Sequence, residues 1–174
     1  MVRLLVSSAV ACSVLVGAIG CSKDPEVAKR EYLTSGDQYV QQKKYAEAVV
    51  EYRNAIQQDP RFGQARYKLA ETYMQLNQPA EAFREYVRAA DLMPENVEAQ
   101  VKAARMLLAG GRFLDAQSRA EKALAADPKN IDAQLVKAAA LAGMKKFDDA
   151  VSQVEQAIQA EPLRVGSHLD LGML

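Results

Sequence analysis

Apolar residues recur in steps of three and four along most of the chain. After Lys44 the series is Tyr45, Ala48, Tyr52, Ala55 and Ile56. After Lys146 it is Phe147, Ala150, Val151, Val154, Ala157 and Ile158. This spacing gathers the apolar side chains on one face of an amphipathic helix. No segment shows the period-two alternation of a strand, so the pattern predicts an all-α chain.

The helices come in a longer rhythm. Pro60, Pro94, Pro128 and Pro162 stand 34 residues apart, and they are four of the chain's six prolines. An acid–alanine pair keeps the same step at Glu47-Ala48, Glu81-Ala82, Asp115-Ala116 and Asp149-Ala150. Alanine also recurs at Ala55, Ala89, Ala123 and Ala157. A fixed period of this length marks a stacked array of two-helix units. Short turns split each unit at Lys43-Lys44, Asn77-Gln78, Gly110-Gly111 and Lys145-Lys146. The recurrent alanines let the two helices of a hairpin approach closely. Proline closes each unit because it cannot sit inside a helix, and it is tolerated in the first turn of the next.

These residues resemble the tetratricopeptide repeat (TPR), whose pattern runs W-x2-L-G-x2-Y, then A-x3-F-x2-A, then P. Unit one matches with Tyr32, Ser35, Gly36, Tyr39, Ala48, Tyr52, Ala55 and Pro60. Unit two offers Arg66, Leu69, Ala70, Tyr73, Ala82, Tyr86, Ala89 and Pro94. Unit three (Gln100, Ala103, Ala104, Leu107, Ala116, Ala120, Ala123, Pro128) keeps the small residues and loses the aromatics. Unit four (Gln134, Lys137, Ala138, Leu141, Ala150, Val154, Ala157, Pro162) does the same. The resemblance implies a right-handed solenoid of antiparallel helix pairs with units at 29–62, 63–96, 97–130 and 131–164. Residues 165–174 read as the start of a fifth unit, with His168, Leu171 and Gly172 on its W, L and G positions. No polar capping helix follows them, so a longer array is expected.

The first twenty residues differ in kind. Arg3 is their only charge, and Leu4 to Gly20 is apolar or small apart from three serines. A basic start, an apolar run and small residues before a cut describe a secretory signal, here 1–20. The block Ala18-Ile19-Gly20-Cys21 resembles a bacterial lipobox, which implies lipid on Cys21 and a short tether over 21–28. The alternative is an uncleaved signal anchor, since the apolar run is at the lower edge of a spanning length. Asp24 as N-cap with Pro25 behind it lets the first helix begin at Pro25. Lipid on Cys21 would place the chain in the bacterial cell envelope, with the periplasmic side of the outer membrane favoured by Ser22.

Charge narrows the partners. The chain carries 22 basic and 22 acidic residues, and this balance argues against the electrostatic grip that nucleic acid demands. The inventory also argues against catalysis. His168 is the only histidine and falls on a packing position, so no Ser–His–Asp, Cys–His or metal cluster can be assembled. Asp148-Asp149 open a helix, where acids favour the dipole. Gly110-Gly111 lacks the lysine and hydroxyl of a phosphate loop. No cofactor is implied, and the chain reads as no enzyme.

The resemblance points instead to a concave groove lined by the second, fifth, ninth, twelfth and thirteenth residues of each first helix. Counting units from Lys29, Gly63, Val97 and Ile131, an apolar track is expected along Leu33, Val40, Tyr67, Met74, Val101, Leu108 and Leu135. Asp37 and Glu71 flank it, with Arg105 further along. An exposed apolar stripe of that extent marks an interaction site. The Lys/Asn set with which chaperone-binding relatives hold a terminal carboxylate is absent, because Leu33, Asp37 and Tyr67 stand there. A helix or an extended segment with apolar anchors, and a basic residue beside them, fits better. The expected function is a lipid-anchored interaction scaffold for envelope assembly, secretion or exopolysaccharide export. The alternatives are a recruiting module for an envelope enzyme and the first part of a longer enzyme.

Overall fold

The structure is a computed structural model that describes residues 24–160. The expected signal, Cys21, the proline at 162 and the fifth unit with His168 lie outside the described residues. Among the described residues eight helices follow one another: α1 (Pro25–Gln41), α2 (Tyr45–Gln58), α3 (Gly63–Gln75), α4 (Pro79–Leu92), α5 (Val97–Ala109), α6 (Phe113–Ala126), α7 (Ile131–Gly143) and α8 (Phe147–Ala160). They pack as four hairpins, α1 on α2 through α7 on α8, and each hairpin leans on the first helix of the next. There is no strand among the described residues.

Local chemistry sets the helix ends. The Asp24 carboxylate accepts from the Glu26 amide and Pro25 sits in the first turn of α1, as expected. Asn96 caps α5 and Asn130 caps α7, each accepting from the amide three residues on. The turns inside the hairpins pass through the left-handed region at Lys43, Asn77, Gly111 and Lys145, again at steps of 34. Gly110 needs no such conformation.

Pro60, Pro94 and Pro128 correct one expectation. They stand three residues ahead of α3, α5 and α7 and not in the first turn of those helices. At Pro60 and Pro128 the preceding acid explains the placement, whereas Met93 precedes Pro94. Asp59 and Asp127 accept from the amides of Arg61 and Lys129, folding the chain over the proline into an Asx turn.

Ala48, Ala82 and Ala116, and with them Ala55, Ala89 and Ala123, are wholly buried at the hairpin crossings. The core changes character along the array. Units one and two share one large cluster with Tyr52, Tyr67, Tyr73 and Tyr86. In units three and four, small clusters of alanine with Leu107, Ile131, Leu135 or Val136 replace it.

Candidate functional site

Two hollows lie along the face formed by the first helices, where the sequence places the groove. The first, about 330 Å³, lies between units one and two and is lined by Asp37, Val40, Glu71, Thr72, Gln75 and Lys68. The second, about 390 Å³, lies between units three and four, around Glu98, Val101, Arg105 and Asp132.

The expected exposed apolar track is therefore corrected. Leu33, Tyr67, Val101 and Leu135, at the fifth position of each first helix, are buried at 5–9 % exposure. They turn toward the interior because α3, α5 and α7 each bring a helix face against the preceding hairpin. Val40 is half-buried against the core of units one and two, and Leu108 is half-buried against Leu107 and Ala116. Met74 alone of the seven is an exposed large hydrophobic, at 44 %. Gly143, counted with the groove by position, instead lies against the Phe113 ring.

The polar members are brought together more fully than the apolar ones. Asp37 accepts a 2.7 Å hydrogen bond from the Tyr52 hydroxyl. Arg105 donates to Asp132 of the next unit at 2.8 Å. Glu71 has Lys68 one turn back at 3.7 Å. Burial, then the Asp37 hydrogen bond and charge, drive the Tyr52 phenol far above its ordinary pKa. The Tyr67 hydroxyl is buried with no hydrogen bond. Burial, the near Glu98 acceptor and the Glu71 charge push its phenol up as well.

Sequence reasoning missed the fourth residue of each unit. Where the repeat pattern has an aromatic residue, units two to four carry Arg66, Gln100 and Gln134. Each is buried and each donates to the carbonyl of the proline six residues earlier: Pro60, Pro94 or Pro128. Arg66 adds a 2.7 Å ion pair to Glu85, and Gln100 a 2.6 Å bond to the Ala90 carbonyl. These side chains staple the turn between units. The signal was a long polar residue on a core position at the 34-residue period. Among the described residues no three His, Cys, Asp or Glu are placed to hold a metal, and no helix is long and apolar enough to cross a membrane.

Four stacked antiparallel hairpins with alanine at their crossings define a helical-repeat solenoid. Family profiles place it further: a TPR repeat profile matches residues 36–77, and tetratricopeptide repeat profiles match residues 63–96 and 107–167. The chain carries tetratricopeptide repeats, folded as the all-α TPR solenoid. No curated protein sequence matches it. Among solved structures it is similar to YrrB, described as a TPR protein with an unusual peptide-binding site. That match has 24% identity and a TM-score of 0.70, covering 83% of this chain and 75% of that one. A MamA structure from Desulfovibrio magneticus aligns at 16% identity and a TM-score of 0.69, covering 82% and 81%. PilF of Pseudomonas aeruginosa aligns at 22% identity and a TM-score of 0.62, covering 80% and 64%. These likenesses concern the fold.

Proposed function

We propose that the chain is an interaction scaffold of the bacterial envelope, tethered through lipid on Cys21, that holds a peptide or helix of a partner against its first helices. The observation that carries this reading is the pair of hollows between units one and two and between units three and four. Both mix apolar floor with charged rim, through Val40, Asp37 and Glu71 in one and Val101 and Arg105 in the other. A segment with apolar anchors at intervals and polar groups between them suits such a surface. YrrB, of similar fold, is described with a peptide-binding site, which supports the reading. The tether is supported by the order of residues around Cys21: basic start, apolar run, small residues, cysteine.

Two measurements test the two halves. A photo-crosslinking residue at Met74 in the lipidated protein, in its native envelope, should trap a defined partner. The same residue at Leu114, exposed on a second helix, should not. Equal capture at both places would remove the groove from the account. For the tether, mass spectrometry of the N-terminus should find acylated Cys21, and an intact Met1 without acyl mass would reject it.

A further inference from the structure

Repeat symmetry singles out one junction. Between units three and four, the ninth residue of α5, Arg105, meets the second residue of α7, Asp132, in an ion pair of 2.8 Å. Thirty-four residues earlier, the same two places hold Glu71 on α3 and Glu98 on α5. Two carboxylates thus stand where the neighbouring junction has an arginine and an aspartate. Glu98 lies beside the Tyr67 hydroxyl. Glu71 has one loose partner, the Lys68 ammonium at 3.7 Å.

Beneath the two acids lies Tyr67, only 9 % exposed, with its hydroxyl making no hydrogen bond. Its ring packs edge-on against Tyr86 at 5.7 Å between centroids. Both Glu71 and Glu98 act on both phenols. They add to the effect of burial in raising Tyr67 and Tyr86 above the usual tyrosine range. An acidic pair and an unsatisfied buried hydroxyl therefore converge on one spot of the first-helix face.

We propose that Glu71 and Glu98 receive a cationic side chain, arginine in preference to lysine, from a partner segment lying along this face. The inference rests on the groove reading above and names the chemistry of one anchor. At the neighbouring junction a guanidinium carried by the first of these two positions reaches the carboxylate at the second. A planar guanidinium can also engage two carboxylates at once, which a point-charge ammonium does less well. A cation held by Glu98 would fix that carboxylate, which already lies near the Tyr67 hydroxyl, as its acceptor. The hollow beside Glu71, with Val40 on its wall, gives the flanking residues of the segment an apolar seat. Two carboxylates alone fall short of the six to eight oxygens that calcium takes.

The test is an amide NMR titration of the full chain in detergent with N-acetyl-arginine amide, using N-acetyl-citrulline amide as the neutral isostere. Saturable shifts centred on Tyr67, Glu71 and Glu98 are expected with the arginine probe, weaker by about tenfold with citrulline. Glu71→Arg supplies the cation from within the chain. It should abolish the response and raise the melting temperature, which also shows that the variant is folded. Equal response to citrulline, shifts centred elsewhere, no saturable response, or a response that survives Glu71→Arg would each overturn the proposal. So would the same shifts produced by calcium chloride alone. A crosslink at Met74 together with a negative titration would sink the cation site and leave the groove standing.

Discussion

Tyr52 closes over Gly36 so tightly that a methyl group on Gly36 would stand 2.4 Å from the ring's Cε1. Tyr52 is wholly buried, and its hydroxyl is tied to Asp37, so the ring has little room to retreat. The other three units carry alanine at this repeat position, as Ala70, Ala104 and Ala138, and unit two pairs Ala70 with Tyr86 at the place of Tyr52, so the restriction belongs to the close approach of this one ring and not to the repeat position. Gly36→Ala should therefore destabilise the chain through overpacking of roughly 1–3 kcal/mol, against a helix-propensity gain of about 1 kcal/mol. In a Tyr52→Leu background the clash is gone and the same substitution should stabilise by about 1 kcal/mol. Urea unfolding of the four variants reads this reversal of sign. A Gly36→Ala effect that is the same in both backgrounds would refute the contact.

Features that repeat were legible in the sequence. Helix bounds, hairpin turns and the alanines at crossings follow from a period of 34 and a stripe of 3.6, since every unit states them again. Asp24 and Pro25 were readable because a cap is local chemistry. Asp37, Glu71 and Arg105 line hollows on the first-helix face, where their repeat positions put them, and the apolar positions were the poorly legible ones. Leu33, Tyr67, Val101 and Leu135 could face a partner or the adjoining hairpin. That choice depends on how far one hairpin rotates on the next, which no residue pattern within a unit encodes. The staple at Arg66, Gln100 and Gln134 was hidden for a similar reason. A polar residue on a core position reads as a lapse from the pattern until the carbonyl it meets is seen.

Those staples lead to a graded outcome. Gln100 is fully buried, and its amide nitrogen serves the carbonyls of Ala90 and Pro94 while Arg119 reaches its oxygen. Gln100→Met keeps the volume and strands those groups, so a loss of about 1–3 kcal/mol is expected. Gln134 gives one bond to the Pro128 carbonyl, and its own oxygen is buried without a partner. Gln134→Met removes that unsatisfied oxygen together with the bond and should cost less than the change at Gln100. Chemical denaturation of the two variants ranks them. A larger loss at Gln134 would contradict the assignment.

Lys29 gives a pH signature. Its ammonium lies 2.7 Å from Asp59 and 2.6 Å from Glu26. The hydrogen bond to Asp59, then that to Glu26, holds Lys29 above its ordinary 10.5. The bond from Lys29, then the Arg61 amide, holds Asp59 below its ordinary 3.8. By linkage, the Asp59 contribution is present above 3.8 and is lost as pH falls through its lowered folded value. The Lys29 contribution is complete below 10.5 and is lost as pH rises through its raised folded value. The stability gap between the parent and Lys29→Met should be level near neutrality and close at both extremes. Denaturant midpoints across pH measure it, and a gap unchanged in acid would show that Asp59 is not the partner that matters.

The left-handed turns separate backbone strain from packing. Lys43, Asn77, Gly111 and Lys145 hold φ of 59°, 55°, 71° and 62°, and only one of the four is glycine. A side chain in this region costs roughly 1–2 kcal/mol, less for asparagine. Against that, glycine loses more backbone freedom on folding. Lys43→Gly and Lys145→Gly should therefore stabilise by about 0.5–1 kcal/mol, and Asn77→Gly by less. Gly111→Lys is the converse. A Cβ at Gly111 would meet nothing within 4 Å, so any loss there comes from the backbone conformation and not from a clash. A loss of about 1 kcal/mol at unchanged m-value is expected. If Gly111→Lys proved neutral while Lys43→Gly stabilised, the gain at Lys43 would have to come from its side chain, and the shared strain of the four turns would be disproved.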